Sequence, residues 1–232
     1  MTKKGEIGAG QTITITREGL RDGSLIRAAR RRAPPGTTLL TDAEIEASLD
    51  ETLASLPPGE DAWLFGYGSL MWNPAIRFAE RLPARVRGWH RRYCLWLPIG
   101  RGTPDNPGLM LALDRGGRCA GVAFRIRAAE ARAELLLVWR REMFTGAYAA
   151  RWVRAETGQG AVRAVTFIAN RRHPRYAGRL DEAEIAARIA VAAGPLGSCA
   201  TYLCETIAAL DALGLNDRGL ERLQRRIGPR AS

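Results

Sequence analysis

Histidine is nearly absent from this 232-residue chain, with His90 and His173 the only two. The four cysteines, Cys94, Cys119, Cys199 and Cys204, form no C-x-x-C, and neither histidine stands in an H-x-x-x-H or other zinc spacing. A structural zinc site is therefore not expected, and no metal is. Four scattered cysteines are also too few for a disulfide framework; the expectation is four buried free thiols in a reducing cytosol. No apolar run approaches the roughly 20 residues of a spanning helix, so no membrane partner is expected. No basic-then-apolar leader opens the residues given, and the expected location is cytoplasmic. Lysine is confined to Lys3 and Lys4.

What the chain has in abundance is arginine and alanine. Its formal net charge is +11, with 46% apolar and 25% charged residues. That apolar share is ordinary for a globular protein and excludes a wholly disordered or fibrous chain. A basic balance raises the question of nucleic acid. The arginines are spread along the whole chain, with short runs at Arg30-Arg31-Arg32 and at Arg225-Arg226 with Arg222. That pattern reads as a composition bias with solvated basic faces, and no nucleic-acid partner is expected.

Residues 1–37 are polar, glycine-rich and weakly periodic, closed by Pro34-Pro35-Gly36; they read as an arm packed loosely if at all. Thr41-Asp42-Ala43-Glu44 is a capping box, and Ile45, Leu49, Leu53 and Leu56 follow at helical spacing, predicting a helix over about 42–56. Trp63-Leu64-Phe65 is a short apolar run feeding Gly66-Tyr67-Gly68-Ser69. Strands are predicted near 82–88, 91–97, 108–114, 118–126, 149–154 and 161–168. Helices are predicted at about 129–143, 181–193, 199–213 and 217–227, with Gly194 and Gly214 as stops. Strands clustered in the middle with helices mostly outside argue an α+β fold over an alternating parallel sheet.

Two segments can carry chemistry. A strand ending in Gly66-Tyr67-Gly68-Ser69-Leu70 exposes backbone N–H groups that can cradle an anion or a developing oxyanion. The same spacing also fits a tight structural turn. Met71 replaces the third glycine of a dinucleotide fingerprint, no Gly-Lys-Ser/Thr follows, and Ser69 is not in a nucleophile elbow. The second segment is Arg140-Arg141-Glu142-Met143. Leu135, Val138 and Trp139 precede Glu142 by seven, four and three residues, which puts it on their apolar side of the helix. A carboxylate there is paired, protonated or catalytic.

Phe65-Gly66-Tyr67-Gly68-Ser69-Leu70-Met71-Trp72-Asn73-Pro74 resembles the signature of the ChaC family of glutathione-specific γ-glutamylcyclotransferases. The resemblance continues in register through Arg87-Gly88-Trp89-His90-Arg91, Gly100-Arg101-Gly102-Thr103, 107–113, 121–124, Trp139-Arg140-Arg141-Glu142-Met143, Arg172-His173-Pro174 and Gly194-Pro195-Leu196-Gly197. It covers about residues 40–228. It implies a small mixed β-barrel, closed or nearly so, with flanking helices, as a single catalytic domain over 38–232. It implies cleavage of glutathione to 5-oxoproline and cysteinylglycine with no cofactor, the loop Gly66 to Met71 holding the γ-glutamyl head and Glu142 as catalytic base. Tyr148 and Tyr176 are further candidate substrate contacts. A base of this kind works best if Arg140 and Arg141 both face away from it. Cys199 stands where related sequences tend to carry Asn. A monomer or weak dimer is expected. Turnover of other γ-glutamyl amines or peptides, or a non-catalytic role in regulating cation transport, are the alternatives; in the second, Glu142 is an ordinary surface residue.

Overall fold

The computed structural model describes residues 13–228. Among them, β1 (Ala62–Gly66), β2 (Glu80–Leu97), β3 (Gly108–Ile126), β4 (Tyr148–Thr157) and β5 (Gly160–Ala169) close a five-stranded barrel. Neighbours run antiparallel in the order β1-β3-β2-β4-β5, and a parallel β1–β5 pairing, Trp63 to Ala164 and Leu64 to Val165, completes the ring. The predicted small mixed barrel with flanking helices is thus observed.

The helices are α1 (Arg17–Arg21), α2 (Ser24–Arg31), α3 (Asp42–Leu53), α4 (Ala128–Glu142), α5 (Glu182–Val191), α6 (Cys199–Asp211) and α7 (Arg218–Ile227). The capping box that predicts α3 forms: the Thr41 hydroxyl accepts from Glu44 N, and the Glu44 carboxylate accepts from Thr41 N. α3 turns Ile45 and Leu49 onto α4, whose Leu135, Val138 and Trp139 are buried. Trp139 meets Phe167 of β5 edge-on at 5.0 Å, so α4 is held against the barrel and its C-terminal end is fixed in position.

Four expectations change. The four predicted central strands are two long ones. The glycines read as turns between 82–88 and 91–97, and between 108–114 and 118–126, sit in a bulged ribbon with a register shift between Arg87 and Trp89. Gly194 does not stop a helix. α5 ends at Val191, and Ala193–Gly194 (β6) pairs with Gly197–Ser198 (β7) in a small hairpin. A Cβ at Gly194 would lie 2.4 Å from Gly100 O, so close backbone approach explains this glycine. Cys94, Cys119 and Cys199 are buried free thiols as expected, while Cys204 is exposed.

The largest change concerns the arm. Residues 1–12 lie outside the described residues, but 13–37 are packed. Leu20, Ile26 and Ala28 are buried, the first two in the main core. Arg17 makes a bidentate pair with Glu134 of α4, which is 3% exposed and also accepts Arg77 N at 2.8 Å. Low local periodicity hid this packing: α1 has five residues, too few to show an amphipathic repeat.

Burial works against the Glu134 charge, yet the Arg17 and Arg77 hydrogen bonds hold its carboxyl below the usual glutamate range. A depressed folded-state pKa contributes stability above the unfolded value, and that contribution is lost as pH falls through the folded one. Arg17→Met should therefore cost about 1–3 kcal/mol at pH 7, discounted for the half-exposed guanidinium. The cost should shrink progressively as pH falls below the ordinary glutamate range in urea unfolding curves. A penalty that does not change with pH would assign it to packing instead of to the ion pair.

Candidate active site

β1 leaves the barrel at Gly66, and the chain turns sharply through Tyr67 and Gly68 into a single 3₁₀ turn, Ser69–Met71. Met71 N donates to Gly68 O at 2.8 Å and Asn73 N to Ser69 O at 2.9 Å, which closes the turn. Gly68 has no room for a side chain, since a Cβ would lie 2.5 Å from the Tyr202 hydroxyl of α6. That contact brings a buried phenol against the turn.

Facing the turn is the last residue of α4. Glu142 is 15% exposed by its side chain and lines a cavity of about 540 Å³ together with Tyr67, Gly68, Ser69, Leu70, Tyr148 and Tyr202. Arg141 joins the two parts: Nη1 donates to Asn73 O at 2.6 Å, Nη2 to Ser69 Oγ at 2.6 Å, and Nε lies 3.1 Å from Glu142 Oε1. The expectation that both arginines face away holds for Arg140, which donates to Leu20 O and Arg21 O. It fails for Arg141. Residues three and four beyond Val138 fall on one flank of the helix, so Arg141 and Glu142 must share it.

Burial pushes the Glu142 carboxyl above the ordinary glutamate value, and the Arg141 charge draws it partly back. The three phenols around it are also pushed up, first by burial, with the Glu142 charge adding to it in each, Tyr202 to about 12. They stay neutral. Tyr67 donates to Phe167 O at 2.6 Å and Tyr148 to Leu111 O at 2.8 Å, so each phenol proton is directed into the barrel wall and each oxygen keeps lone pairs for another donor.

Of the sequence candidates, Glu142, Tyr67, Gly68, Ser69, Leu70 and Tyr148 meet in one cavity. Gly66, Met71 and Tyr176 do not line it. Met71 is 2% exposed in the core, and Tyr176 donates to Asp114 Oδ2 at 2.9 Å in a separate cluster with Arg92 and Arg171. Cys199 is likewise outside: its thiol donates to Arg101 O at 3.2 Å beneath Gly108, so the Asn-to-Cys departure falls on packing. His90 and His173 make backbone contacts. Sequence reading missed Tyr202 and the arm residues Ile13 to Ile15 and turned Arg141 outward, yet all of them line the cavity.

The Arg141 contact is testable without substrate. Its charge favours the carboxylate, so Arg141→Gln should move the Glu142 titration to higher pH, read by ¹³C-NMR of labelled glutamate. An unmoved titration would separate the two groups in solution.

Comparison with known proteins agrees with this geometry. The family model described as ChaC-like protein matches residues 62–230. The chain is 47% identical over 188 residues to the glutathione-specific gamma-glutamylcyclotransferase of Escherichia coli K12, covering 80% of this chain and 81% of that one. It is 31% identical to gamma-glutamylcyclotransferase 2-3 of Arabidopsis thaliana, over 71% of this chain and 87% of the relative. A crystal structure of a yeast γ-glutamylcyclotransferase specific to glutathione superposes with a TM-score of 0.67 at 22% identity, over 72% of this chain and 96% of that one, and so shares the fold. On sequence and architecture together, the chain belongs to the ChaC-like family.

Proposed function

We propose that the protein cleaves glutathione into 5-oxoproline and cysteinylglycine, with Glu142 as the proton carrier. The observation that carries this reading is the Glu142 carboxyl, withdrawn from solvent at the end of α4 and facing the Tyr67–Leu70 turn across one cavity. The family's named activity in the E. coli relative, at 47% identity, supports the choice of substrate. A surface position for Glu142, which the non-catalytic reading requires, is at odds with its 15% exposure.

The substrate is its own nucleophile. Its α-amine is an ammonium at neutral pH and cannot attack until a proton is removed. Glu142 accepts that proton, the freed amine attacks the γ-carbonyl, and a five-membered ring closes. The tetrahedral carbon then expels the amide nitrogen of cysteine. Two protons leave the ring nitrogen and two arrive on the departing nitrogen, so Glu142 ends as it began. An ordinary glutamate is a weak base at pH 7; burial raises it toward the useful range. The phenol oxygens of Tyr67 and Tyr148, their protons turned into the barrel wall, suit an ammonium ligand beside Glu142. Backbone N–H groups at the start of the Ser69–Met71 turn suit the carboxylate or the charge that builds on the γ-oxygen. Fixing the head for ring closure supplies the remaining advantage, worth about 7–11 kcal/mol in well-oriented intramolecular reactions. The binding set is thus Tyr67, Gly68, Ser69, Leu70 and Tyr148, with Tyr202 added and Gly66, Met71 and Tyr176 removed. Free thiols, with Cys204 exposed, fit the cytoplasmic setting expected from the sequence.

Glu142→Gln should remain folded and release 5-oxoproline from glutathione about 10²- to 10⁴-fold more slowly, assayed with chelator present. In the wild type, log kcat/KM should climb with pH through the raised Glu142 titration and level off above it. Near-wild-type turnover in the Gln variant would defeat the mechanism.

A further inference from the structure

Among the cavity-lining arginines one stands apart. Arg101 faces Glu205 and donates to Ser198 O; Arg140 donates to Leu20 O and Arg21 O; Arg141 holds Glu142, Ser69 and Asn73. Arg175, from the loop after β5, is 9% exposed and lines the same cavity, yet its Nη2 has no hydrogen-bond partner among the described residues. No carboxylate there pairs with it, and burial alone acts on its charge, pulling its pKa down. Its backbone is fixed, with Arg175 O accepting from Trp96 N at 2.8 Å and Arg175 N donating to His173 Nδ1 at 3.1 Å. A buried cation without a partner is costly to the free protein, and the arrangement makes sense once an anion supplies the missing half.

The cavity also has a direction. Glu142 with the phenol oxygens of Tyr67 and Tyr148 already suits the ammonium of the reacting head, and the Ser69–Met71 turn its carboxylate, which leaves Arg175 for a charge outside the head. Glutathione carries two carboxylates, one on the γ-glutamyl head and one on glycine. The cysteine and glycine residues, extended, place the second about 7 Å beyond the scissile amide. Resting on the reaction read above, we propose that Arg175 is the receptor for the glycine carboxylate and a determinant of specificity for the tripeptide. A guanidinium with unused donors in a fixed fork matches a carboxylate in two contacts, which an ammonium or an amide cannot do.

The test compares glutathione with its glycine monoethyl ester, which keeps the γ-glutamyl head and loses only the distal charge. In wild-type protein the ester should have a kcat/KM about 10- to 100-fold lower than glutathione. In Arg175→Met the two substrates should become equal, with turnover of the ester close to that of the wild type. Arg175→Lys should recover only part of the preference. The thermal midpoint of Arg175→Met without substrate should equal or exceed that of the wild type, since an unpaired buried charge is gone. Wild-type protein that turns over acid and ester alike overturns the assignment while leaving the cyclisation intact. So does an equal loss on both substrates with a lowered midpoint, which would make Arg175 a structural tie. Absence of 5-oxoproline from every γ-glutamyl compound takes down the reaction and the subsite with it.

Discussion

One guanidinium holds the centre of this molecule together. Arg141 spends its donors on the carbonyl of Asn73, the hydroxyl of Ser69 and the carboxylate of Glu142, and so locks the end of a helix to the turn that follows β1. Without it, nothing else among the described residues pairs with Glu142, whose neighbours are phenols and apolar side chains. The charge balance matters as much as the geometry. Burial drives the carboxyl toward its neutral form, and Arg141 opposes it. A base needs both: too little burial leaves it acidic and idle, too little countercharge leaves it protonated at working pH. Because two of Arg141's three acceptors are uncharged, its positive charge is only partly committed to Glu142.

The barrel accounts for where these groups stand, but the cavity needs more than the barrel. The family model spans 62–230, and the segment before it supplies part of the enclosure. Ile13 N donates to Pro195 O at 2.6 Å and Asn73 Nδ2 donates to Ile15 O at 2.9 Å. The arm therefore crosses from the β6–β7 hairpin to the loop after the glycine turn, roofing the space between. Arg17 anchors it on Glu134 in the middle of α4, while Arg140 on the same helix takes the carbonyls at the end of α1. One helix thus presents one flank to the cavity and another to the arm that crosses over it. A closed site excludes water and strengthens the electrostatic contacts within it.

How much of this was readable in the sequence follows from how local each cause is. The capping box at Thr41, the helical face of Leu135, Val138 and Trp139, and the place of Glu142 on it are set by residues within two turns of one another, and all hold. The arm's packing depends on a pairing 117 positions apart, Arg17 with Glu134, and no periodicity announces it. Arg141 was misjudged although its neighbours were weighed correctly. The rule that places Glu142 inward places Arg141 inward too, and an expectation about a base's ideal surroundings overrode it. Tyr176 shows the reverse error: it follows the His173-Pro174 motif, yet its hydroxyl is taken by Asp114, a residue 62 positions away that is 1% exposed. Sequence proximity to a motif does not tell which wall of a loop a side chain serves.

The excess of arginine, which raised the question of nucleic acid, has a structural explanation. Across the described residues these side chains repeatedly end on backbone carbonyls: Arg91 on Ala120, Arg92 on Gly178, Arg101 on Ser198, Arg163 on Ser55. A planar group with five donors can tie two segments and satisfy a carbonyl at the same time, where a lysine offers a compact and strongly hydrated charge. Cross-linking of this kind suits a barrel whose strands are bulged and whose loops must be held at fixed spacings, because each carbonyl left free by an irregular strand needs a donor. The same chemistry then becomes available to the site. A fold that habitually answers carbonyls with guanidinium groups needs only to withhold a carbonyl, as it does at the Nη2 of Arg175, to leave a receptor for a carboxylate. The basic charge of this protein is in this sense the visible residue of how it is tied together, and its ligand chemistry is an exception made within that scheme.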